Sequence, residues 1–335
     1  NINFRNIIIN GDMSIAQRST SETGINSAGY RTVDRFRIAI SSMGDWGISQ
    51  STTVPSGEGF TKSLKMDCEV AKASPTGGSQ IIIQQRIEDQ MLQYLKKGTS
   101  NAQKLTLSFW VRSNKTGTYI INILDNNNTR QISKSYTINT ADTWEKKTLT
   151  FDGDTTGAFN NDANTSIELN FWLGAGSDYN TGTLRTSWTA TTNADLAVGQ
   201  VNLADSTDNE FYLTGVQLEA GDTASDFEFL PYDVNLHRCF RYYYQSDGNI
   251  NTGATTDTWV GQVDGSSTYH NTAWLPVVMR GTPSVGLRNM AGSRFNVSGS
   301  FGGTHVSNRR AEFYATSNSS GRGYYITSLD VDAEM

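Results

Sequence analysis

Residues 63–70 read Ser-Leu-Lys-Met-Asp-Cys-Glu-Val, an alternation of apolar and polar side chains almost without a break. A period of two residues is typical of a β-strand that buries one face and exposes the other to solvent. Segments of this kind recur roughly every dozen residues, which is typical of an antiparallel sandwich or barrel. Further strands are predicted at residues 80–87, 105–112, 117–124, 130–138, 144–151, 166–173 and 212–218. The chain is therefore predicted to be all-β over most of its length.

The N-terminal part of the chain adds shorter elements to this pattern. Strands are predicted at residues 3–9, 35–40 and 46–51, and the first of them ends at the turn signal Asn10-Gly11-Asp12. Residues 19–28 are expected to form a loop. Residues 88–97 are good helix formers and are followed by Gly98, which predicts a short helix packed over the end of the sandwich.

The chain is predicted to divide near Pro231, which blocks any helix running back into the sandwich. The expected organisation is a sandwich domain over residues 1–232, a linker helix over 233–245 and a smaller β domain over 246–335. No repeat with the period of a solenoid is present, which argues against a parallel β-helix. Strands of the C-terminal domain are predicted at residues 259–263, 284–288, 295–297, 311–314 and 323–331.

The linker helix is predicted to begin at Asp233, a good N-cap residue. Leu236, Phe240 and Tyr243 follow at positions i, i+4 and i+7, which places them on one apolar stripe. Two interpretations of this stripe remain open. It forms an oligomer contact at a symmetry axis, or the helix caps its own sandwich.

Composition and charge exclude several classes of function. The 335-residue chain has a net charge of -6 and no basic stripe, so binding of nucleic acid is not expected. No apolar run is long enough to span a bilayer, so membrane insertion is not expected. Cys68 and Cys239 are far apart and lack CxxC spacing, which predicts two reduced, buried thiols with neither zinc nor a disulfide. No cofactor is indicated.

Three segments carry a resemblance to a known class of proteins. Residues 215–228, Gly-Val-Gln-Leu-Glu-Ala-Gly-Asp-Thr-Ala-Ser-Asp-Phe-Glu, with Cys239-Phe-Arg-Tyr-Tyr after them, resemble a segment that recurs in tail-fibre and receptor-binding proteins of tailed bacteriophages. Residues 6–19, Asn-Ile-Ile-Ile-Asn-Gly-Asp-Met-Ser-Ile-Ala-Gln-Arg-Ser, resemble the opening of the same jelly-roll module, and residues 105–113 are a third match. That module is similar to the carbohydrate-binding β-sandwiches appended to glycosidases. The resemblance implies an antiparallel jelly-roll sandwich over residues 1–232.

The same resemblance implies a virion protein of a phage tail, assembled in the host cytoplasm as a homotrimer. Its expected partners are a host surface polysaccharide and other phage tail or adaptor proteins. Because the sequence begins with Asn1 and not with Met, the N-terminal segment that contacts those proteins is expected to be missing from it. Sandwiches of this type often hold a structural calcium ion on oxygen ligands. Asp12 suits such a site, but Thr214-Gly215 stands where an acidic residue often precedes Val-x-Leu-Glu, and no metal is predicted.

The sequence offers few candidates for catalysis. Carboxylates that are close in sequence fall in turns or at strand ends, where Asp is favoured as a turn former. No Gly-x-Ser-x-Gly motif accompanies the three histidines. No catalytic residue is predicted, and the protein is not expected to be an enzyme. The carboxylate groups concerned are Asp152 with Asp154, Asp205 with Asp208 and Glu210, and Asp330 with Asp332.

Sugar binding requires aromatic side chains on exposed loops, because a pyranose ring stacks its C–H face on an aromatic ring. The preferred contacts are Trp259 and Tyr269, which stand near Asp257 and His270 in a context rich in Gly, Ser and Thr that indicates exposure. Core packing is the alternative role for every aromatic residue. The other candidates are Trp46, Tyr179, Trp188, Trp274, Tyr324 and Tyr325.

Three interpretations of function follow from these observations. The first is a non-enzymatic phage tail fibre that recognises a host cell-surface glycan for adsorption. The second is a capsid or tail decoration protein whose aromatic loops pack on neighbouring virion subunits. The third is a tailspike that depolymerises glycans with a pair of carboxylates.

Overall fold

Strands dominate the computed structural model, and the prediction of an all-β chain is confirmed. The chain forms two compact units, each built from more than one segment. The first unit comprises residues 1–14, 21–230 and 335, and the second comprises residues 15–20 and 231–334. The structure describes residues 4–246, 258–263, 268–288, 294–318, 321–326 and 328–335.

The first unit is the predicted antiparallel sandwich. Its strands are β1 (Ser21–Ile25), β2 (Gly29–Tyr30), β3 (Arg37–Ser41), β4 (Asp45–Ser51), β5 (Ser63–Val70), β6 (Gln80–Glu88), β7 (Leu105–Ser113), β8 (Gly117–Asp125), β9 (Arg130–Ile138), β10 (Glu145–Phe151), β11 (Thr165–Ala175), β12 (Thr189–Ala190) and β13 (Glu210–Ala220). A six-stranded sheet has the order β1-β4-β5-β13-β7-β10, and a seven-stranded sheet has the order β12-β9-β8-β11-β6-β3-β2. A single helical turn, α1 (Ser177–Asn180), lies between β11 and β12.

The core between the two sheets follows from the alternation in the sequence. Every second residue of β7 from Leu105 to Val111 is buried there, so the residues between them face outward. Phe109 packs edge to face against Tyr136 and Phe171, with ring centroids 5.0 and 5.2 Å away. The strands predicted between residues 35 and 218 are all present, with ends shifted by at most two residues.

The strand predicted at residues 3–9 is wrong for the described part of that segment. Residues 6–10 are buried, but apart from one backbone bond, from the Ile7 amide to the Leu218 carbonyl oxygen (2.9 Å), side chains take part in their hydrogen bonds with neighbouring strands. The Ile9 amide donates to Gln85 Oε1 (2.8 Å), and the Ile9 carbonyl oxygen accepts from Gln85 Nε2 (3.0 Å). Asn6 Oδ1 accepts from the amides of Ile8 (3.0 Å) and Leu218 (3.1 Å). The apolar residues therefore reach the core without pairing in a sheet.

The helix predicted at residues 88–97 is also wrong. The segment forms two 3₁₀ turns, Asp89–Met91 and Gln93–Leu95, directly after β6. Leu92 and Leu95 are buried in the core, and their separation of three residues suits a turn of three residues. Residues 21–25, which were expected to lie in a loop, form β1 instead.

Lys97 follows these turns and is buried among oxygen atoms. Its Nζ atom lies 2.6 Å from Asp125 Oδ2 and 3.0 Å from Asp154 Oδ2. It also donates to the carbonyl oxygens of Thr156 (2.9 Å) and Gly157 (2.7 Å). The side chains of Lys97, Asp125 and Asp154 are 5%, 0% and 2% exposed. A buried cluster of this kind is stable only while each charge keeps its partners.

The buried cluster predicts a pH dependence of stability. Burial alone would raise the pKa of the Asp154 carboxyl, but hydrogen bonds from Arg130 and Lys97, with the charge of Lys97, outweigh burial and lower that pKa. A carboxyl whose pKa is lower in the folded state stabilises the fold above its unfolded pKa of about 3.9, and loses that contribution as the pH falls through the folded pKa. We expect the stability lost in D154N to be largest above about pH 5 and to shrink below about pH 4. Urea unfolding followed by tryptophan fluorescence measures this difference.

Asp222 supplies a matched control for that titration, because it is an exposed turn residue of the same unit. The D222N protein should follow the wild type at each pH. A stability loss in D154N that stays constant from neutral to strongly acidic pH would contradict the expected role of the Asp154 carboxylate.

The two cysteines are free and buried, which confirms the prediction of two thiols outside any disulfide. Cys68 lies on β5 with its side chain in the sandwich core. Burial, with nearby carboxylates, raises the pKa of the Cys68 thiol to about 11, so this residue remains protonated at neutral pH.

The second unit is the predicted smaller β domain preceded by a helix. It contains α2 (Tyr232–Phe240) and the strands β14 (Tyr243–Gln245), β15 (Thr258–Val263), β16 (Thr268–Trp274), β17 (Ser284–Arg288), β18 (Arg294–Phe295), β19 (Val297–Ser307), β20 (Arg310–Ser317), β21 (Gly321–Ile326) and β22 (Ser328–Asp332). These strands form three-stranded sheets in the orders β14-β22-β17, β15-β21-β18 and β16-β20-β19. A core cluster in this unit is formed by Met279, Ala311, Leu329, Val331 and Ala333.

The linker helix is shorter than predicted. Asp233 lies inside its first turn, the helix ends at Phe240, and Tyr243 lies on β14. Tyr243 is 2% exposed, and its hydroxyl donates to Asp330 Oδ1 at 2.7 Å. Leu236, Phe240 and Tyr243 therefore do not share one helical stripe, and an oligomer contact through the first two stays a prediction. None of the helices in the described part of the chain is both long and apolar enough to cross a membrane.

Residues 15–20 belong to the second unit although they stand near the start of the chain. Gln17 Nε2 donates to the carbonyl oxygen of Tyr243 at 2.9 Å. The Arg18 guanidinium lies 3.7 Å from the centre of the Tyr243 ring and pairs with Asp332 (3.0 Å) and Glu334 (3.6 Å). Because the side chains of Arg18 and Glu334 are only 9% and 5% exposed, solvent screens this pair weakly.

Candidate functional site

A groove on the outer face of the six-stranded sheet is the strongest candidate site. Its floor is formed by the neighbouring strands β7, β10 and β13, and Trp110 of β7 lies half-buried in it. Trp110 stands opposite Lys146 of β10 on one side and opposite Thr214 of β13 on the other. Directly opposed residues of antiparallel strands present their side chains on the same face, so Lys146 lies beside the indole ring.

Gly215 allows the aromatic floor to form. It lies in a bulge of β13 and has a φ of 61°, a conformation that favours glycine. A Cβ atom at this position would lie 2.6 Å from the ring of Phe60 and 3.1 Å from the indole of Trp110. The missing side chain therefore lets both rings pack directly against the backbone of the strand.

Two polar residues of β13 hold the next segment of the chain beside the groove. Glu219 accepts hydrogen bonds from the Ser225 amide (2.9 Å) and the Ser225 hydroxyl (2.7 Å). Gln217 Oε1 accepts from the Glu228 amide (2.8 Å), and Gln217 Nε2 donates to the carbonyl oxygen of Asp226 (3.2 Å). Gln217 is fully buried and Glu219 nearly so, which fixes residues 225–229 against the sheet.

Three phenylalanines form an aromatic wall of the groove. Phe60 is buried and lies 5.0 Å from Phe227 and 5.1 Å from Phe229 between ring centroids. Phe227 and Phe229 are 4.8 Å apart. Phe229 is 49% exposed, so an aromatic face remains open at the groove.

Charged side chains complete the lining. Glu58, Lys146 and Asp226 line the groove and are exposed, and Ser108 lies in the floor. None of the three charged side chains has a salt-bridge partner among the described residues. The groove encloses about 320 Å³, a volume in the range of small-ligand pockets. An aromatic surface bordered by unpaired polar groups suits a ligand with an apolar face and a hydroxyl-bearing rim.

The contacts predicted from the sequence lie elsewhere, in the second unit. Trp259 is on β15, and Tyr269 and His270 are on β16, which belong to two different three-stranded sheets. Asp257 lies outside the described residues. A glycan contact through these four residues stays a prediction.

The aromatic candidates of the sandwich have structural roles. Trp46 is fully buried, and Tyr179 packs against the buried Trp172 at a ring distance of 5.4 Å. Trp188 packs against the core, and its indole N–H donates to the carbonyl oxygen of Asp152 at 2.7 Å. These three residues serve packing and leave Trp110 as the aromatic ring available at the groove floor.

Apart from Asp152, the carboxylates that are close in sequence take part in ion pairs and hydrogen bonds of the fold. Glu210 contacts Lys65 (3.0 Å) and Arg112 (3.4 Å), and Asp205 pairs with Lys115. Burial alone would raise the pKa of Glu210, but the Lys65 and Tyr212 hydrogen bonds and the two cations lower it. No group of three or more side chains suited to a metal ion occurs within the residues the structure describes.

Sequence reasoning missed the residues of the groove, although part of the signal was present. The alternation of buried residues in β7 places Trp110 and Ser108 on the outer face. The same two-residue period in Phe227-Glu-Phe229 places the two phenylalanines on one side of an extended segment. No local pattern in the sequence indicates that Phe60 lies in the groove, because it packs against Gly215, which is distant in the chain.

Comparisons with known proteins give distant structural likenesses. No family model matches the chain, and no curated protein sequence matches it. The enzymatically active domain of tailspike protein 4 of bacteriophage CBA120 is similar at 16% identity and a TM-score of 0.34, over 65% of this chain and 22% of that chain. A putative sugar-binding protein from Bacteroides thetaiotaomicron is similar at 15% identity and a TM-score of 0.33, over 64% of this chain and 99% of that one. TmCBM61, solved with β-1,4-galactotriose, gives 9% identity and a TM-score of 0.32, with 64% and 99% covered.

Proposed function

We propose that the protein binds a glycan through the groove on the six-stranded sheet. The observation that carries this proposal is the aromatic floor and wall of Trp110, Phe227 and Phe229, bordered by charged groups without salt-bridge partners. The apolar face of a sugar ring stacks on Trp110, and its hydroxyl groups donate to Glu58 and Asp226 and accept from Lys146.

The proposal extends to the role of a tail fibre on a phage virion, where the groove recognises a host cell-surface polysaccharide for adsorption. Two of the segments that resemble phage tail proteins support this role, because they carry structural features described above. Residues 215–228 contain the bulge at Gly215 and the hydrogen bonds by which Gln217 and Glu219 hold the next segment beside the groove. Residues 15–19 of the opening segment are part of the second unit.

A homotrimer fits the proposed role, because cell-surface polysaccharides repeat the same epitope. Three linked weak sites raise the apparent affinity by roughly 10²–10⁴ without new contacts. In this proposal the protein acts without catalysis, and other tail or adaptor proteins hold it on the particle.

Replacing Trp110 by Ala tests the binding site directly. We expect W110A to lose roughly 10- to 150-fold in affinity for a bacterial surface polysaccharide that the wild type binds, because about 1.5–3 kcal/mol of aromatic burial is removed. F229A should lose less, since half of that ring is exposed already. Isothermal titration with a panel of purified surface polysaccharides measures the affinities.

Tyr94 gives a matched control for the groove variants, because it is a 40% exposed aromatic residue that does not line the groove. Y94A should bind like the wild type. If W110A folds and binds as well as Y94A, the groove is not the glycan site. Inhibition of phage adsorption by the wild type, lost in W110A, distinguishes a fibre from a decoration protein.

A depolymerase is the second candidate, because Glu58 and Asp226 line the same groove. Glycoside hydrolysis uses two carboxylates on opposite sides of the scissile bond. Release of reducing sugar by the wild type, lost in both E58Q and D226N, would replace the binding proposal by the enzyme.

A further inference from the structure

The second unit carries an exposed aromatic residue opposite one exposed cation, Arg310, which is preceded in the chain by a second, Arg309. Trp274 is 73% exposed at the end of β16, more than any other large apolar residue among those the structure describes. It stands directly opposite Arg310, the first residue of β20. Opposed residues of antiparallel strands have Cβ atoms about 4.5–5.5 Å apart and side chains on the same face. The indole and the guanidinium are therefore neighbours on one surface.

A tight turn holds the cations in place. β19 and β20 are joined by Asn308 and Arg309 alone, and the Ser307 hydroxyl oxygen accepts from the amides of Arg309 and Arg310, both at 3.3 Å. The chain after β16 binds the turn from the other side. The Leu275 amide donates to the carbonyl oxygen of Arg309 at 3.0 Å. The backbone that carries both arginines is thus fixed without using their side chains.

The charges of this surface favour an anion. Arg309 and Arg310 are exposed and have no salt-bridge partner among the described residues. The nearest acid along β20 is Glu312, which stands opposite Thr272 and is half-buried. A positive patch on a chain of net charge -6 attracts ligands that the rest of the surface repels.

We propose that Trp274, Arg309 and Arg310 form a binding site for an acidic sugar. The sugar ring stacks on the exposed indole, and its carboxylate accepts two parallel hydrogen bonds from the guanidinium of Arg310. Arg309 adds a second positive charge at the turn. A neutral sugar uses only the indole and binds more weakly, so this site selects the charge of the ligand.

This site does not depend on the groove of the first unit. The groove offers two carboxylates and one ammonium group, whereas the Trp274 site offers two guanidinium groups. W110A should therefore leave binding at the Trp274 site intact, and W274A should leave binding at the groove intact. Failure of one proposal is distinguishable from failure of the other.

The test uses trigalacturonate, a hyaluronate tetrasaccharide and sialyllactose, each against its carboxyl-reduced form. We expect at least one acidic probe to bind the full chain, with at least tenfold weaker binding of its reduced form. W274A and R310A should each lose tenfold or more, and higher salt should weaken binding of the acidic probe. R310K should recover part of the loss, because it keeps the charge but not the planar fork.

Lys104 provides the charge-matched control, since it is an exposed cation of the first unit. K104A should bind the acidic probes like the wild type. Equal affinity for acidic and reduced probes, or no binding of any acidic probe at millimolar concentration, overturns the proposal. A lower oligomeric mass of W274A in light scattering, with unchanged binding, also overturns it, because Trp274 would then be a subunit contact.

Discussion

Replacing Lys97 by Met is expected to lower the free energy of unfolding of the first unit by about 3–5 kcal/mol. The methionine keeps the aliphatic length but removes the ammonium group that lies between Asp125 and Asp154. Asp125 then remains in the interior without its cation, and two backbone carbonyl oxygens lose their donor. Asp154 keeps its hydrogen bonds from Arg130 and is affected less.

Lys96 is the control for this substitution, because it precedes Lys97 directly and is exposed. K96M should change the free energy of unfolding by about 0.5 kcal/mol or less. Urea unfolding of the three proteins at neutral pH gives both differences. Equal stability of K97M and K96M would show that the interior cluster tolerates the loss of its ammonium group.

Replacing Gly215 by Ala is expected to destabilise the sandwich by about 2–4 kcal/mol and to close the floor of the groove. Part of the loss comes from the left-handed backbone, where φ is 61°. The rest comes from the new methyl group, which would lie 2.6 Å from the ring of Phe60 and must displace it. Displacement of Phe60 also moves Phe227 and Phe229, so G215A should bind glycan more weakly than the wild type.

Gly24 separates the two contributions. Its φ of 67° is close to that of Gly215, but nothing lies within 4 Å of a Cβ atom built on it. G24A should therefore show only the backbone cost of about 1–2 kcal/mol and unchanged binding. If G215A is no less stable than G24A, the packing of Phe60 and Trp110 against the strand is looser than the structure indicates.

The sandwich was predictable because its strands place apolar residues at every second position facing the core. In β5 and β7 apolar residues that face the core alternate with residues on the outer face, so a local pattern determines the element and its ends. Two elements were predicted wrongly, the strand at residues 3–9 and the helix at residues 88–97. Both segments take their conformation from contacts with distant parts of the chain, which a local pattern does not contain. The amides of Ile7 and Ile9 donate to Leu218 and Gln85, and the turn at 89–95 places Lys97 against Asp125 and Asp154.

The candidate site was only partly predictable for the same reason. Alternation in β7 identifies Trp110 as an outward residue, but nothing local distinguishes it from an isolated surface tryptophan. The groove exists because Gln217 and Glu219 hold residues 225–229 beside the strand, and because Gly215 admits Phe60. Composition rich in Gly, Ser and Thr led instead to Trp259 and Tyr269, because polarity indicates exposure and does not indicate a concave surface.

The interleaved order of the chain has a consequence for biosynthesis. The peptide that contains Gln17 and Arg18 is translated well before its partners Tyr243, Asp332 and Glu334. The second unit therefore cannot close until the residues up to Glu334 have been synthesised, after every strand of the sandwich. The second unit is not encoded by one continuous segment, so a fusion of this unit to another protein must also include residues 15–20.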